Sequence, residues 1–395
     1  MEYILQNQGV VFLLDCDPMR AKASFCVNHP GQLEGQESVS WLNENIMAMP
    51  VLPSALLGMV KGGCARAVNT RHPAAKSLIE HSWDLPAGKK RVHILALGDV
   101  GATLLTGLVL LGGDVISTIG ICDMRESVLR RYEYEMNQIA WPFEYNALPA
   151  VEPVSQDSLF DCDVFVFCAS HTVPPVDSNV EDVRMEQLHG NTAIIKDYAR
   201  MARGSSFRGL FAVVSDPVDL LCQYVFLESN RSEGGAYDGR GLLPEQVRGY
   251  GLGVMNARAA YYAKRDMRYA SFLREGRAYG PHGRDLVIAN SIDRYDDALS
   301  KELSQLAVEA NLRMRETGFK PYIAPALSSG AIALLLTMRK EWQYSAVFID
   351  GVYFGCKNRQ TDMGLETEVL PLPGLLYDRI RTAHQRLMDQ GRQWR

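Results

Sequence analysis

From Arg91 onward, short apolar runs alternate with helical stretches along the chain. The runs "RVHILAL", "VISTIGICD" and "DCDVFVFCAS" are typical of buried strands. The stretches "RESVLRRYEYEMNQI" and "EQLHGNTAIIKDYARMAR" have the pattern of helices. Because apolar strands that alternate with helices form parallel sheets covered on both faces, this part predicts an α/β fold with a doubly wound sheet.

The two ends of the chain have other patterns. Residues 1–88 contain strand-like runs, "VVFLLD" and "AKASFCVN", a stretch "ALLGMVKGGCARAVNT" typical of a helix or a loop, and a linker closed by Pro86 and Gly88. After about residue 245, long helices mix with strand-like pieces such as "SAVFIDGVYFG". We therefore predict three parts: an N-terminal module of unknown role (1–88), a doubly wound domain (89–245) and an α+β domain (246–395).

Composition excludes several classes of protein. The chain has 395 residues, of which 47% are hydrophobic and 22% charged, as in ordinary globular proteins. The net charge of -5 argues against a general nucleic-acid binder. No apolar run reaches membrane-spanning length, and the N-terminus lacks the pattern of a signal peptide. We therefore expect no nucleic-acid partner and no membrane association.

The cysteines give a further expectation. The chain has 8 cysteines and no CxxC pair, so neither a zinc ribbon nor a dithiol redox motif is indicated. Several lie in apolar runs such as "IGICD", which favours buried, reduced thiols. We therefore expect a cytoplasmic protein.

The turn "ALGDVG", which follows the predicted strand "RVHILAL", has the composition of a phosphate-binding loop. Glycine at its third position lets the backbone approach a pyrophosphate, and glycine at its last position lets the helix pack close to the strand. Asp123 ends the next strand, where a carboxylate accepts hydrogen bonds from ribose hydroxyls. This favours NAD over NADP, although Arg125 leaves NADP open. The cofactor contacts predicted here are Gly98, Asp99, Val100, Gly101 and Asp123.

Two residues of this turn are unusual for dinucleotide binding. Ala96 stands where the first glycine is common, and Asp99 places a carboxylate near the expected diphosphate. Like charges repel unless the Asp99 side chain points away. The alternative interpretation is a doubly wound domain with a tight turn and no dinucleotide.

Further segments carry a resemblance to a known family. They are, in chain order, "CDVFVFCAS", "DVRMEQLHGNTAII", "SDPVDLL", "GYGLGVMNAR", "YGPHGRD", "DGVYFG" and "EVLPLPG". Together with the turn, they make residues 91–390, approximately, resemble the L-lactate/malate dehydrogenase family, with residues 1–88 outside the resemblance. The resemblance implies a Rossmann doubly wound parallel sheet followed by an α+β catalytic domain, an NAD cofactor, a 2-hydroxy/2-oxo carboxylate substrate and a homo-dimer or homo-tetramer.

By motif position, the resemblance also assigns roles to single residues. His282 in "YGPHGRD" is the acid/base, since histidine donates a proton near neutral pH. Arg258 holds the substrate carboxylate, and Arg184 polarises the carbonyl in the transition state. Ala169 and Asn191 join the predicted cofactor site. Each of these three residues has a structural alternative. His282 is then a hydrogen-bonded loop residue, Arg258 pairs with an acid on its own helix, and Arg184 lies in a solvated charged loop.

The resemblance breaks at the carboxylate that orients the histidine. In the family an aspartate on a helix does this, and its place falls on Met255, while Asn256 points elsewhere on the helix. Asp216 stands where the family has Asn before Pro-Val-Asp. Our hypothesis is that Asp216 supplies the missing carboxylate from another wall of the site. The alternative is that Asp216 caps the following helix.

The loop after the "CDVFVFCAS" strand departs from the family as well. It is longer than usual, Ser178 stands at the place that discriminates substrates, and Asp177, Glu181 and Asp182 make it acidic. An acidic loop disfavours malate and suits a substrate with a neutral or cationic side group. His171 either faces the site or is a surface residue.

Two functions of different classes follow from this pattern. The first is NAD-dependent oxidoreduction of a 2-hydroxy/2-oxo acid other than ordinary lactate or malate. The alternative, supported by Met255, is a catalytically degraded relative that binds NAD(H) or a small acid in a regulatory or scaffolding role. No metal is implied, because the cysteine that related metal-dependent glycosidases use would fall near "SDPV", which lacks one.

Overall fold

The computed structural model describes residues 2–6, 9–171 and 183–394, and the side chains of 183–186 are outside the description. Four loop residues named above, Asp177, Ser178, Glu181 and Asp182, therefore lie outside the described residues. The same holds for the side chain of Arg184, whose backbone belongs to the start of a described helix.

The N-terminal region forms a four-stranded sheet of its own, with the strand order β1-β2-β4-β3. Its elements are β1 (Glu2–Gln6), β2 (Gly9–Leu14), β3 (Ser24–Cys26), α1 (Ser54–Lys61), β4 (Ala65–Asn69) and α2 (Ala75–Glu80). The strands predicted at "VVFLLD" and "AKASFCVN" are confirmed. The stretch "ALLGMVKGGCARAVNT" contains both a helix and a strand, α1 and β4, with the Gly-Gly pair between them.

A nine-stranded sheet forms the centre of the molecule, and six neighbouring strands in it are parallel. The elements of this part are β5 (Lys90–Leu95), α3 (Asp99–Leu111), β6 (Ile116–Cys122), α4 (Glu126–Met136), β7 (Ala150–Pro153), β8 (Val164–Phe167), α5 (Val183–Gly204), β9 (Leu210–Val213), α6 (Val218–Ser229) and β10 (Val247–Gly249). The parallel strands follow the order β7-β6-β5-β8-β9-β10. This is the Rossmann order, in which the direction of winding reverses between the first and fourth strands, here β5 and β8.

The parallel strands are apolar because both faces of the sheet are covered. In β8, Val164 and Val166 join the core cluster that includes α3, whereas Phe165 and Phe167 join the cluster on the other face. All four side chains are fully buried. Continuous apolar strands therefore predicted this layer of the fold correctly.

The remaining elements extend this sheet and cover one end of it. They are α7 (Leu252–Ala263), α8 (Phe272–Glu275), β11 (Arg277–Tyr279), β12 (Val287–Ala289), α9 (Asp297–Arg315), a π-helix (Pro325–Ile332), α10 (Ala333–Met338), β13 (Gln343–Ile349), β14 (Val352–Thr361), β15 (Gly364–Thr367) and α11 (Gly374–Gly391). Strands β13, β14 and β15 continue the central sheet in antiparallel fashion beyond β10, and β11 pairs with β12 in a separate sheet. The fold is therefore a Rossmann sheet followed by an α+β part, as predicted.

The N-terminal sheet is attached to the rest of the chain through buried and partly buried contacts. Trp41 lies in the same core cluster as β13. The Arg20 guanidinium lies 2.6 Å from the Asp350 carboxylate, and the Ala23 N–H donates to Glu245 at 2.7 Å. The limits 1–88, 89–245 and 246–395 stay a prediction, although the last parallel strand, β10, lies wholly after residue 245. Among the described residues, none of the helices combines the length and apolarity needed to cross a bilayer.

Candidate active site

The "SDPVD" corner lies where β9 ends and α6 begins, at the carboxyl ends of the parallel strands. In a doubly wound sheet, ligands bind in the crevice at this edge. Helix α6 begins at Val218 with Pro217 as its N-cap residue and without a side-chain cap. Asp216 therefore does not cap α6, and its carboxylate makes a different contact.

That contact is with His282, in the loop between β11 and β12. The His282 Nδ1 and Asp216 Oδ1 atoms are 3.0 Å apart, a hydrogen-bond distance. The His282 side chain is 10% exposed and that of Asp216 is 46% exposed. A carboxylate therefore meets the histidine from the β9–α6 corner, as the hypothesis for Asp216 requires.

A second carboxylate fixes the backbone of the same loop. The His282 N–H donates to Asp219 Oδ2 at 3.1 Å. Burial raises the pKa of Asp219 to about 7, and the contacts with His282 oppose that rise. The histidine is thus held at its backbone by one aspartate and at its ring by another.

Gly251, just before α7, makes room for the histidine. A Cβ atom at this position would lie 2.8 Å from His282 Cβ and 3.2 Å from Val218. Such distances are too short for a side chain, so only glycine lets the α7 start pass so close to the His282 loop. The sequence "GYGLG" therefore serves the packing of the site.

Arg258 lies about two turns beyond Gly251 along α7 and is half-buried. Its Nη1 atom is 3.6 Å from Met255 Sδ and 3.4 Å from the Ala307 carbonyl oxygen. Burial lowers the pKa of Arg258, and the charge of Asp216 counteracts this. Among the described residues, no carboxylate lies within ion-pair distance of Arg258, so the alternative of a helical ion pair is not observed.

Met255 is buried on the inner side of α7. Its side chain is 1% exposed and packs in the cluster that contains Tyr269 and Phe272. The place where the family carries the histidine-orienting aspartate is therefore part of an apolar core. The carboxylate next to His282 comes from the other side of the site.

The turn between β5 and α3 has the geometry of a dinucleotide-binding loop. Ala96 adopts a left-handed conformation, with φ of 71°, which takes the place of the usual first glycine. A Cβ at Gly101 would lie 2.0 Å from the Ala96 carbonyl oxygen, so this position requires glycine. A Cβ at Gly98 would meet no atom within 4 Å, and the turn is therefore open toward the crevice at this point.

Asp123 closes this turn from the end of β6. Its Oδ2 accepts a hydrogen bond from Leu97 N at 2.9 Å, and its Oδ1 accepts one from Arg125 N at 3.0 Å. The side chain is 8% exposed. The structure thus gives Asp123 the task of holding the phosphate turn, and its contact with a ribose stays a prediction.

Asn191 and Ala169 connect the ends of β8 and β9. The Asn191 amide accepts from His171 N at 2.7 Å and donates to the Asp216 carbonyl oxygen at 2.6 Å. Its side chain is 0% exposed, and the Ala169 carbonyl oxygen accepts from Ser215 at 2.7 Å. Asn191 therefore positions the backbone of Asp216, a task that the sequence did not indicate, while its direct contact with a cofactor stays a prediction. His171 itself is exposed.

One contact at the cofactor turn was not predicted. Lys320, between α9 and the π-helix, lies 3.1 Å from Asp99. The two residues are 221 positions apart in the chain, so no local sequence pattern predicts that they meet. The side chain of Asp99 is thus paired with a cation in the structure.

Taken together, the strand order, the open turn after β5 and the His282–Asp216 pair define a Rossmann-type α/β protein with a candidate site at the carboxyl ends of its parallel strands. No protein-family model matches the chain. It is 25% identical over 279 residues to a malate dehydrogenase of Sulfurimonas denitrificans, covering 67% of this chain and 81% of the relative. It is 24% identical over 195 residues to an L-lactate dehydrogenase of Staphylococcus epidermidis, covering 49% and 55% of the two chains.

Solved structures show the same fold. A malate dehydrogenase from Archaeoglobus fulgidus, solved in complex with NADH, superposes with a TM-score of 0.62 at 16% identity, covering 77% of this chain and 99% of that one. A minor L-lactate dehydrogenase from Enterococcus mundtii, solved in a ligand-bound form, gives a TM-score of 0.62 at 17% identity, covering 78% and 99%. The chain therefore has the fold of the lactate and malate dehydrogenases, at low sequence identity to each of them.

Proposed function

We propose that this protein is an NAD-dependent oxidoreductase that acts on a 2-hydroxy/2-oxo carboxylic acid. The observation that carries the proposal is the 3.0 Å contact between His282 Nδ1 and Asp216 Oδ1 at the carboxyl ends of the Rossmann strands. The malate and lactate dehydrogenases to which the chain is similar, one of them solved with NADH, support the same reaction class.

The residues of the cofactor turn fit a dinucleotide. The uncapped N-terminus of α3 offers backbone N–H donors to a diphosphate at Val100 and Gly101, and Gly98 leaves the approach open. Asp123 stands beside the turn for the adenosine ribose. When bound, the nicotinamide of NAD supplies or accepts the hydride.

The protein's own residues handle the proton and the carboxylate. Nδ1–H of His282 donates to Asp216, which holds the ring so that Nε2 exchanges the proton with the substrate oxygen. Arg258, which has no ion-pair partner among the described residues, holds the substrate carboxylate. Arg184 polarises the carbonyl group, a role that rests on motif position alone.

The nature of the substrate follows from the loop sequence. We propose a 2-oxo acid other than pyruvate or oxaloacetate, because Ser178 and the acidic residues around it replace the family's usual residues. A homo-dimer or homo-tetramer and a cytoplasmic location complete the proposal. The degraded-relative alternative rested on Met255, and the Asp216 contact supplies the carboxylate whose absence supported it.

The first test is a thermal-shift titration with NAD, NADH, NADP and NADPH. We expect NAD and NADH alone to stabilise the protein, by roughly 2.7 kcal/mol at a hundredfold excess over the dissociation constant. A panel of 2-oxo acids is then screened by the loss of NADH absorbance, with His282→Asn as the control for catalysis. Absence of stabilisation by all four dinucleotides would contradict the proposal.

A further inference from the structure

The segment between α9 and the π-helix reaches the cofactor turn. Lys320 Nζ lies 3.1 Å from Asp99 Oδ2, and the Lys320 side chain is 80% exposed. Asp99 is the first residue of α3, the helix that opens the phosphate turn. The ion pair therefore joins the α+β part of the chain to the place where a dinucleotide diphosphate is expected.

Asp99 presents a problem for that diphosphate. A carboxylate in the first turn of a helix interacts favourably with the helix dipole, so Asp99 suits the protein without ligand. The same N-terminus is the place that attracts phosphate groups. An incoming diphosphate would therefore meet a negative charge unless a cation accompanies it.

Stability alone does not account for the Lys320–Asp99 pair. The Asp99 side chain is 49% exposed, and ion pairs between exposed side chains contribute little to folding. A lysine ammonium, however, has three donors on a flexible stem. It can therefore pair with a carboxylate and a phosphate oxygen at the same time.

The anchoring of this segment links it to both halves of the site. A Cβ at Gly107 of α3 would meet Ala331 of the π-helix at 2.7 Å, which shows how closely the two helices pack. On its other side, Ser329 Oγ accepts from Val254 N at 2.8 Å and donates to the Gly251 carbonyl oxygen at 2.7 Å. Lys320 is thus five residues before a helix that contacts the cofactor helix and the start of α7. Irregular helices of this kind occur frequently at functional sites.

We propose that Lys320 is a phosphate-binding residue of the dinucleotide site. Its ammonium neutralises Asp99 before the ligand arrives and pairs with the diphosphate of the bound dinucleotide. This inference rests on the proposed use of NAD(H), and it adds a residue from the α+β part to a site built on the Rossmann turn.

Lys320→Gln is the variant that tests it, with binding constants for NADH and ADP-ribose as the readout. We expect both to bind roughly five- to tenfold more weakly, because a charge-assisted contact is lost at a partly exposed site. Adenosine, which lacks a diphosphate, is expected to compete equally well in wild type and variant. The loss is expected to shrink at high salt, where exposed charges are screened.

Lys301→Gln is the matched control. Lys301 is 63% exposed and lies 2.6 Å from Asp297 on α9, so it is another exposed lysine paired with an aspartate. We expect unchanged NADH binding in this control and unchanged melting temperatures of both unliganded variants. Wild-type affinity in Lys320→Gln would overturn the inference while leaving the proposed function intact. Failure of the wild type to bind NADH would overturn both.

Asp99→Asn separates direct contact from neutralisation. With the carboxylate removed, we expect NADH to bind as tightly as to wild type or more tightly, since the repulsion is gone. Adding Lys320→Gln to Asp99→Asn is then expected to weaken binding again. If the double variant binds like Asp99→Asn alone, Lys320 only neutralises Asp99 and its contact with the diphosphate is refuted.

Discussion

The cofactor turn and the His282 pocket each contain an unexpected aspartate, Asp99 near the expected diphosphate and Asp216 where the family has Asn. At the turn, Asp99 is 49% exposed and is paired with a highly exposed lysine. In the pocket, Asp216 is 46% exposed, but its partner His282 is only 10% exposed. The two carboxylates are similarly accessible and differ in the group that each one holds.

That difference decides what each aspartate does. An ion pair between exposed side chains exchanges readily with water and ligand, so we propose that Asp99 and its lysine act on binding. A hydrogen bond to a nearly buried imidazole fixes a ring and the nitrogen that carries its proton, so we propose that Asp216 acts on the chemical step. The accessibility of the partner thus separates an effect on affinity from an effect on turnover.

Among the variants that test this comparison, Asp216→Asn is expected to have the largest effect, and that effect is on kcat. We expect kcat to fall by roughly a thousandfold, because an amide neither stabilises the protonated imidazole nor fixes its tautomer. The alkaline limb of the pH–rate profile for 2-oxo acid reduction is expected to move to lower pH. Steady-state kinetics across pH, together with NADH titration, measures both.

The control for this variant is Asp99→Asn, which makes the same chemical change at the cofactor turn. Its kcat is expected to match the wild type, and NADH affinity is expected to stay unchanged in Asp216→Asn. Equal kcat values for Asp216→Asn and the wild type would show that the contact with His282 has no catalytic role.

Two glycine variants, one in each region, are expected to have intermediate effects on kcat and on NADH binding. Gly251→Ala would place a Cβ 2.8 Å from His282 Cβ, so we expect displacement of the ring and a fall in kcat of about ten- to a hundredfold. Gly98→Ala meets no protein atom within 4 Å, so we expect unchanged folding and weaker NADH binding. Kinetics and NADH titration of both variants measure these effects, and loss of NADH affinity in Gly251→Ala would contradict the separation.

The parallel strands of the doubly wound sheet were predictable because buried strands are apolar throughout. Phe165 and Val166 point to opposite faces, yet both faces are covered, and the resulting run "VFVF" stands out in the sequence. The division of the N-terminal stretch into α1 and β4 was not predictable in the same way. There the apolar positions suit either structure, and tertiary pairing of β4 with β2 and β3 decides.

The site was predictable as far as motif positions define it, which includes His282, Arg258 and the open turn at Gly98. The contact of Asp216 with His282 followed from two substitutions considered together, although its distance of 3.0 Å depends on how the two loops pack. Asn191 and Lys320 show the limit. Their contacts, with the Asp216 backbone and with Asp99, depend on how distant segments pack, and no local pattern records that.

A substitution at Asp219 is expected to have the smallest effect, on the pH dependence of the melting temperature. It tests whether burial raises the pKa of this second carboxylate of the pocket. Burial raises its pKa to about 7, so the folded protein holds a proton that the unfolded chain releases near pH 4. Stability contributed by this group is therefore full at low pH and falls as the pH rises from about 4 to about 7. In Asp219→Asn this loss is absent, so we expect the decrease in melting temperature between these pH values to be about 1–3 °C smaller than in the wild type.

The control is Asp285→Asn. The Asp285 carboxylate lies on the same loop as His282 and pairs with Arg386 at 2.5 Å. Identical pH dependence in Asp219→Asn and the wild type would show that the buried carboxylate stays ionised, and then both aspartates around His282 would carry charge.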